Sequence, residues 1–539
     1  MRAMDEQVII VGAGPVGMLA ACELLQQGAA VRLIDASREH SAHSRATIVW
    51  PRLLELMRRT GLTDRIVDHG HRIAGVAYFS SGRRQATAWM DRLPDTPYPF
   101  AVAIAQSETE RLLEARLAEL GGKIERGVRL TSVGAPGGPA VRVVLEGPGG
   151  GTEEVEASWL IGADGAHSTL RKLLGVPYEG AQFDVSFSVT DAEVAGDAPM
   201  DVVSYCYTPE GSLALGPLGR DVTRVAVSVP HAVDDTPPSR EFFQRLMDER
   251  GPGRNRLGEL RFSTTFRVHA RTAGTFRLGR CLLIGDAAHI MSPAGAQGMN
   301  TGLQDAVNIG WRLGGVLEGR LPEEALAGYD AERRRAAHAV ARTTALQTHW
   351  GLLRDPRRIA VRDAALRAAD ATGLLQRSLS PLVAQTGTTY RPGEGTPDPL
   401  RTTARPTRRV RPGDRLPALP APLDGGGDGG GARTVASDGG AWLQVDARRH
   451  TVVLWPGRRP DPRWAGVARR VRALAGPAYA VAEAAPGRET GLAEALGPRP
   501  AVALVRPDGH IIDVLGADRA AELEDLLRSA LRRPDPAGA

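Results

Sequence analysis

Six residues near the N-terminus, Gly12-Ala13-Gly14-Pro15-Val16-Gly17, have the glycine spacing of a turn that holds a pyrophosphate. Gly12 permits a tight bend, Gly14 lets the backbone approach the phosphates, and Gly17 lets the following helix lie close to a sheet. That helix would begin at Pro15 and Val16, and its unpaired N–H groups and positive dipole attract anions. The spacing therefore predicts a site for a nucleotide that carries a pyrophosphate.

An acidic residue, Asp35, stands eighteen residues after Gly17, at the end of the apolar segment 30–34. In a strand–helix–strand unit, a carboxylate at this position accepts hydrogen bonds from the ribose hydroxyls. A phosphate on the 2′-oxygen would repel that carboxylate, so the sequence argues against NADP as the resident nucleotide. The alternative is a solvated carboxylate at a strand end.

The elements that must position these residues form a strand–helix–strand unit. Residues 8–11 are a continuous apolar run typical of a buried parallel strand, and residues 30–34 form the second strand. Helical periodicity extends from about Pro15 to Gln27 and is ended by Gly28. Further along, an amphipathic pattern predicts a helix over residues 107–120, with Ser107 and Glu110 as a capping box.

The pattern changes in the second third of the chain. Between residues 176 and 275, short alternating segments separated by Gly and Pro predict a mainly β region inserted into the nucleotide-binding part. Helices then extend to about residue 385. The stretch 391–440, with its glycine-rich run at 424–431, is predicted to lack regular structure. A last unit alternates strands at 451–455, 501–505 and 510–515 with helices at 463–475 and 519–532.

Composition excludes several classes of protein. The three cysteines, Cys22, Cys206 and Cys281, lie far apart, which excludes the paired thiol of a disulfide reductase and predicts no metal site. The net charge is +5, but Lys123 and Lys172 are the only lysines and the arginines are spread along the chain, so nucleic-acid binding is not expected. No apolar run approaches the ~18 residues of a membrane span. We therefore expect a cytoplasmic protein.

Two further turns identify the family. Asp164 lies in Gly162-Ala163-Asp164-Gly165 and is followed by Ala166-His167-Ser168 and Arg171, and a second turn is Gly285-Asp286-Ala287-Ala288-His289. Together with Gly12–Gly17, these motifs resemble, in order, those of the class A flavoprotein monooxygenases, the para-hydroxybenzoate hydroxylase and phenol hydroxylase family. The resemblance covers residues from about 5 to 385. It implies FAD as the cofactor, with Asp286 on a ribityl hydroxyl and Asp164 helping to hold FAD and a visiting nicotinamide nucleotide.

The resemblance also implies the fold class, which is α/β. A Rossmann-type FAD-binding domain would carry an inserted mainly-β substrate domain and a C-terminal thioredoxin-like domain. The expected divisions are 1–75, 100–175 and 276–335 for the FAD-binding domain, 76–99 and 176–275 for the β-sheet substrate domain, 336–390 for a helical segment, 391–440 for a Pro/Gly-rich linker, and 441–539 for the thioredoxin-like domain. The last unit has no cysteine, so we expect a role in packing or association, such as a homodimer.

Two further cofactor contacts are carried over from the family. Arg45 resembles an arginine near the pyrophosphate, and a guanidinium pairs well with phosphate oxygens. Gln106 resembles a glutamine that contacts the flavin. The alternatives are a surface arginine and a helix-capping amide.

The segment Pro293-Ala294-Gly295-Ala296-Gln297-Gly298-Met299-Asn300 resembles the loop along the isoalloxazine ring, and we call it the flavin-edge loop. Its small residues would let backbone N–H groups reach the flavin O2 and N1 edge, where negative charge accumulates on reduction. Pro293 matches a proline beside the flavin N5 and C4a edge. The family often has glycine where this chain has Ala296, which puts close backbone approach in question. For Asp305, Asn308 and Trp311 on the next helix, we favour a structural role over a catalytic one.

The sequence identifies the residues that line the substrate pocket less clearly. Candidate pocket residues are Trp50, Tyr205, Tyr207 and Pro217, together with Trp89 and His231. An aromatic residue on an alternating strand is more often part of the core than a ligand contact. No side-chain base is therefore assigned, and the catalytic candidates are Pro293, Gly298 and Met299 of the flavin-edge loop.

The family resemblance implies a monooxygenase that uses NADPH or NADH and O2 to hydroxylate a phenolic, multi-ring aromatic substrate through a flavin C4a-hydroperoxide. The high arginine content resembles that of GC-rich actinobacteria, which associates the chain with natural-product tailoring. One alternative is Baeyer–Villiger oxygen insertion on the same scaffold, and another is a catalytically idle FAD or ligand carrier. A flavin-dependent halogenase is disfavoured because the Trp-x-Trp-x-Ile-Pro signature is missing.

Overall fold

A six-stranded sheet, which we call the nucleotide sheet, organises the first part of the chain in this computed structural model. Neighbouring strands pair in parallel except for a short hairpin strand at one edge. Residues 8–11 of its strand Gln7–Val11 are buried, as the continuous apolar run predicts. In spatial order the strands are Arg277–Leu278, Cys281–Leu283, Trp159–Gly162, Gln7–Val11, Ala30–Asp35 and Ile124–Arg126.

The structure describes most of the chain. The described residues are 7–39, 46–93, 95–219, 221–230, 236–391, 409–418, 433–437, 440–459, 462–475, 478–484, 490–516, 519 and 522–530.

The helix Pro15–Gln26 packs between the helices Gln106–Glu119 and Gly298–Leu317. Glycines in the last of these permit a close approach, because a Cβ on Gly310 would lie 2.5 Å from the Cβ of Glu23. The predicted helix at 107–120 is confirmed, but its capping box is wrong. The helix begins at Gln106 after Ala105, without a side-chain cap, and Glu110 accepts a hydrogen bond from Gln106 at 2.9 Å instead.

The middle of the chain forms an eight-stranded sheet, which we call the large sheet. Two long strands connect it to the nucleotide-binding part, as the alternating pattern between 176 and 275 predicts in outline. The pattern did not reveal the helix Arg240–Arg250, which buries Phe243, Leu246 and Met247 against one face of the sheet. In spatial order the strands are His289–Ile290, Asn255–Ala273, Tyr178–Gly196, Val222–Val229, Gly211–Pro217, Val202–Thr208, Gly75–Ser80 and Arg83–Trp89.

Three helices lead away from these sheets, and a four-stranded sheet follows near the C-terminus. The helices are Ala327–Gly351, Pro356–Ala371 and Leu374–Val383. In spatial order the strands of the C-terminal sheet are Ala480–Glu483, Thr451–Trp455, Ala501–Val505 and Ile511–Gly516. Three of these strands lie close to their predicted positions, and the helices Trp464–Ala475 and Leu523–Ala530 lie near predicted helices. The strand Ala480–Glu483 and the helix Thr490–Ala495 were not predicted.

The stretch 391–440 differs from expectation in one respect. The strand Arg433–Ser437 pairs with Gly440–Gln444 in a hairpin, although Gly and Pro content predicted no regular element here. The glycine-rich run at 424–431 lies outside the described residues. Residues 409–418 are described, and Arg415 among them contacts Glu55 at 3.1 Å.

The remaining elements are short. They are the strands Ile48–Val49, His71–Ile73, Ala101–Ala103, Arg129–Val133, Val141–Glu146 and Thr152–Ala157, the α-helices Pro51–Met57, Thr63–His69 and Thr169–Leu173, and the 3-10 helices Arg58–Thr60, Gly285–Ala287 and Glu323–Leu326. Across the described ranges, no helix has the length and apolar character needed to cross a membrane.

Candidate active site

Four neighbouring strands of the nucleotide sheet end beside one another, and each has a predicted cofactor residue at its carboxyl end or in the turn directly after it. Val11 is in register with Ile34 on one side and Gly162 on the other, and Gly162 is in register with Leu283. The carboxyl ends of these parallel strands share one edge of the sheet, which is where open α/β sheets bind ligands. This edge carries Asp35, the turn Gly12–Gly17, Asp164 and Asp286.

The turn Gly12–Gly17 is shaped by close backbone contacts. Gly12 has a φ of +105°, and a Cβ there would lie 2.4 Å from the carbonyl oxygen of Ala163. A Cβ on Gly17 would lie 1.9 Å from the carbonyl oxygen of Gly12, so both positions require glycine. Gly14 is different, because a Cβ there would meet no described atom within 4 Å. That open space beside a helix N-terminus fits a pyrophosphate.

Asp35 holds this turn from the neighbouring strand. Its Oδ2 accepts the N–H of Ala13 at 2.7 Å, and its Oδ1 accepts the N–H of Ser37 at 2.7 Å. An ionised carboxylate has about four acceptor positions, so both oxygens keep capacity for ribose hydroxyls. The residue therefore fixes the shape of the turn and remains suited to the predicted contact.

Asp164 caps the helix that follows it. Its Oδ2 accepts the N–H groups of Thr169 and Leu170 at 2.6 and 3.1 Å. Its Oδ1 is buried and has no hydrogen-bond partner among the described residues. A buried carboxylate oxygen needs a donor, so this atom fits a hydroxyl or an amide of a bound cofactor.

Arg171 and Tyr178 connect the Asp164 turn to the Gly285-Asp286 turn. Arg171 donates to the carbonyl oxygens of Ala166 at 2.8 Å and Ala287 at 2.9 Å. Its guanidinium carbon lies 3.7 Å from the centre of the Tyr178 ring, and the Tyr178 hydroxyl donates to the carbonyl oxygen of Asp286 at 2.9 Å. No pattern in the sequence marks Tyr178, because its contact depends on how the long strand Tyr178–Gly196 leaves the nucleotide sheet.

Asp305 holds the Gly285-Asp286 turn, and Asp286 itself is exposed. Asp305 is fully buried, and its Oδ2 accepts the N–H of Gly285 at 3.0 Å and lies 2.7 Å from Nε2 of His289. Arg333 donates to Oδ1 at 2.7 Å. Burial alone would raise the pKa of Asp305, but the charges and hydrogen bonds of His289 and Arg333 outweigh burial and lower it. The carboxylate is thus ionised and structural.

Gln106 and Arg45 were expected near the flavin and the pyrophosphate. Gln106 accepts the N–H of Ala46 at 3.1 Å, so it holds the chain beside the predicted arginine. Arg45 itself lies outside the described residues, as does His231.

The flavin-edge loop is held by a buried network. The backbone N–H of Trp50 donates to Oδ1 of Asn300 at 2.9 Å, and the Trp50 indole N–H lies 3.1 Å from the carbonyl oxygen of Gly295. Asn300 donates to Ile48 at 2.7 Å. Ala296 has a φ of +51°, a conformation that favours glycine, which accounts for the glycine often found here in the family.

The other loop residues take different places. Pro293 is exposed, while Gly298 and Met299 open the helix Gly298–Leu317 and are half-buried. Gln297 donates to the carbonyl oxygen of Val383 at 3.0 Å. The loop therefore presents Pro293 and a helix N-terminus outward while its polar side chains turn inward.

The structure separates the four candidate substrate residues into two groups. Trp50 and Tyr205 both contact the flavin-edge loop, and the Tyr205 hydroxyl accepts the N–H of Gly295 at 2.9 Å. Tyr207 lies deeper, with the Arg362 guanidinium carbon 5.1 Å from its ring centre. Pro217 is buried at the end of Gly211–Pro217, opposite Thr223. The aromatic residues therefore also serve the core, as the alternating pattern allowed.

A model of the family described as an FAD binding domain matches residues 5–344. This segment is more than half of the chain, and the chain belongs to that family. The predicted family and the predicted cofactor, FAD, are confirmed, and the protein is an FAD-dependent oxidoreductase.

Relatives with known sequences and structures agree with this assignment. An uncharacterised aromatic compound monooxygenase of Bacillus subtilis is 33% identical over 64% of this chain and 68% of its own length. The 6-methylpretetramide 4-monooxygenase of Streptomyces rimosus is 38% identical over 62% of this chain and 60% of its own length. The structure of an anhydrotetracycline hydroxylase from Streptomyces rimosus is similar over 97% of this chain and 98% of that one, with a TM-score of 0.73 and 29% identity.

Proposed function

We propose that this enzyme is a monooxygenase that hydroxylates a phenolic, multi-ring aromatic compound at the expense of NADPH or NADH and O2. The observation that carries the proposal is the shared edge of four strands, where Asp35, Gly14, Asp164 and Asp286 follow one another along the nucleotide sheet. FAD lying along that edge would place its ring system next to the flavin-edge loop. Bound FAD supplies the hydride acceptance and the oxygen activation that side chains cannot provide.

Each residue has a definite task in this proposal. Asp35 accepts ribose hydroxyls, the open position at Gly14 takes the pyrophosphate, and Oδ1 of Asp164 receives a donor that the described residues do not supply. Asp286 accepts a ribityl hydroxyl. The N-terminus of Gly298–Leu317 directs its dipole at the flavin edge where negative charge develops, which is electrostatic stabilisation without a titrating side chain.

The substrate would lie between the flavin-edge loop and the large sheet. Tyr205, on the strand Val202–Thr208, would face this space, and its hydroxyl accepts the N–H of Gly295 in the loop. Burial raises the pKa of Tyr205 to about 12, so its hydroxyl keeps its proton at neutral pH and would donate a hydrogen bond to a substrate oxygen. Relatives named for tetracycline intermediates and for pentachlorophenol support an aromatic substrate.

The C-terminal sheet supports a second, architectural proposal. Its order places a parallel pair, Thr451–Trp455 with Ala480–Glu483, next to two antiparallel strands, which supports a thioredoxin-like domain at 441–539. We further propose the predicted division of the rest of the chain, association as a homodimer, and a cytoplasmic location where NAD(P)H is supplied.

The test is turnover under labelled oxygen. Purified protein reconstituted with FAD is mixed with NADPH or NADH, isotopically labelled O2 and a panel of polycyclic phenols. We expect substrate-dependent oxidation of the nicotinamide and a product that gains one labelled oxygen atom as a hydroxyl on an aromatic carbon. A labelled ester or lactone would establish Baeyer–Villiger insertion instead. Binding of aromatic compounds without any oxygen incorporation would overturn the proposal in favour of a carrier.

A further inference from the structure

A buried ionic cluster joins the C-terminal sheet to the FAD-binding part of the chain. The turn after Ala501–Val505 places Arg506 against Glu332, with Arg506 nitrogens 2.6 and 3.0 Å from its two carboxylate oxygens. Arg312 also donates to Glu332 at 2.8 Å, and Asn308 donates to it at 3.0 Å. Glu332 and Arg312 are fully buried, so the cluster is shielded from solvent.

A second set of contacts leads from the same turn towards the cofactor. Asp508, two residues after Arg506, pairs with it at 3.0 Å, and Asp508 lies 3.2 Å from Nδ1 of His510. The His510 ring lies 4.3 Å from the ring of Tyr390, centre to centre. The hydroxyl of Tyr390 in turn accepts a hydrogen bond from Arg333 at 2.6 Å.

Arg333 reaches the cofactor turn through one carboxylate. Its Nε donates to Asp305 at 2.7 Å, and a terminal nitrogen donates to the carbonyl oxygen of Thr301 at 3.0 Å. The other oxygen of Asp305 accepts the N–H of Gly285, the residue directly before Asp286. A continuous series of contacts therefore connects His510, in the turn directly before the strand Ile511–Gly516 of the C-terminal sheet, to the Gly285-Asp286 turn.

We propose that Arg333 and Tyr390 are positioning residues for FAD, and that the C-terminal sheet acts on cofactor affinity by fixing Tyr390. The inference rests on the proposed placement of FAD at Asp286 and not on the reaction that FAD performs. The physical reason is orientation. Arg333 has three of its nitrogens fixed by Asp305, Tyr390 and Thr301, and this rigid fork holds the Asp305 carboxylate that sets the Gly285-Asp286 turn.

The experiment compares two tyrosines that each lose one buried hydroxyl. Tyr390→Phe removes the acceptor of Arg333 and keeps the ring beside His510. Tyr479→Phe is the matched control, because its hydroxyl donates to Leu527 within the C-terminal unit. The dissociation constant of FAD is measured by flavin fluorescence, and the unfolding temperature of each apoprotein is measured in parallel. Asp286→Ala reports independently on the placement of FAD.

We expect the dissociation constant of FAD to rise about tenfold in Tyr390→Phe, because a buried charged donor loses its partner. In Tyr479→Phe the dissociation constant of FAD should stay within about twofold of its value in the original protein, even if the unfolding temperatures of both variant apoproteins fall by similar amounts. Equal affinity for FAD in the two tyrosine variants, with weaker binding in Asp286→Ala, would overturn the positioning role. Unchanged binding in Asp286→Ala would overturn the placement of FAD and this inference with it.

Discussion

Gly295 and Tyr205, ninety residues apart in the chain, are joined by a 2.9 Å hydrogen bond in which the backbone N–H of Gly295 donates to the phenolic oxygen of Tyr205. The first residue lies in the flavin-edge loop and the second in the large sheet. Tyr205 also stacks on Tyr78, with ring centres 6.0 Å apart. The position of the loop is therefore set in part by the large sheet.

Tyr205→Phe should loosen the coupling of nicotinamide oxidation to hydroxylation. The variant leaves the Gly295 N–H without its acceptor, which costs about 1–3 kcal/mol for a buried donor. We expect a lower ratio of hydroxylated product to oxidised NADPH, and a shift of the bound flavin absorbance. Tyr98→Phe is the control, since that hydroxyl is paired with Arg58, which lies outside the flavin-edge loop. Equal coupling in both variants would contradict a role for Tyr205 in the site.

Ala296→Gly should stabilise the protein. A left-handed backbone costs a residue with a Cβ about 1–2 kcal/mol, and the extra freedom of glycine in the unfolded chain offsets about 0.5–1 kcal/mol of the gain. A rise of about 0.5–1 kcal/mol in the free energy of unfolding is expected from chemical denaturation. Ser81→Gly, at φ +47° in an exposed hairpin, is the matched control. A gain in Ser81→Gly with a loss in Ala296→Gly would mean that the packing of the Ala296 methyl outweighs backbone strain.

Gly14→Ala should weaken the binding of FAD and leave the stability of the apoprotein almost unchanged. Its methyl group meets no described atom within 4 Å, so the free energy of unfolding of the apoprotein should change by less than about 0.5 kcal/mol. The same methyl would occupy the space assigned to the pyrophosphate. We expect the dissociation constant of FAD to rise at least about tenfold in fluorescence titration.

The control for this variant is Gly137→Ala. A Cβ at Gly137 also meets nothing within 4 Å, but the residue lies in a surface turn between the strands Arg129–Val133 and Val141–Glu146. Unchanged FAD binding in both variants would show that the pyrophosphate lies elsewhere.

Lowering the pH should reduce the free energy of unfolding through His450. This ring is buried between Trp311 and Tyr479, and burial, followed by the nearby charge of Arg506, lowers its pKa to about 3. The unfolded chain binds a proton near pH 6.5, so the unfolded state takes up more protons between pH 6.5 and 3, and stability falls as the pH falls. From pH 6.5 to 4.5, a range above most carboxylate titrations, the loss should be about 2–3 kcal/mol.

The measurement is denaturant unfolding across that pH range. His450→Phe keeps an aromatic ring and should lose this part of the pH dependence. His69→Phe, at an exposed position on Thr63–His69, should retain it. The same slope in His450→Phe as in the original protein would contradict the assignment.

Much of the cofactor half was readable from the sequence because its determinants are local. A Cβ at Gly17 would collide with the carbonyl oxygen of Gly12 in the same turn, so the need for glycine there is visible within six adjacent residues. The apolar run Gln7–Val11 and the strand Ala30–Asp35 are similarly local, and both lie where their patterns predict.

The substrate side was less predictable because its contacts join distant parts of the chain. The indole N–H of Trp50 donates to the carbonyl oxygens of Gly295 and Ala296, some 245 residues away. No pattern near Trp50 shows whether its side chain makes such a contact or lines a pocket. The same holds for Arg333 and Tyr390, whose contacts join residues 301, 305 and 510, far apart in the chain. The sequence analysis did not predict the helix Arg240–Arg250, because the alternating segments on both sides of it led us to interpret the whole range 176–275 as β structure.

The pairing of Arg506 with Glu332 means that the boundary of the family segment, residue 344, is not the boundary of a folding unit. A fragment that ended before the C-terminal sheet would keep Glu332 but lose one of its two guanidinium partners. Removing one partner from a buried ion pair costs about 3–5 kcal/mol, a large share of the 5–15 kcal/mol that stabilises a typical domain. Chimaeras that exchange C-terminal parts among relatives should therefore work only when the 506–510 turn and the helix Ala327–Gly351 come from the same parent.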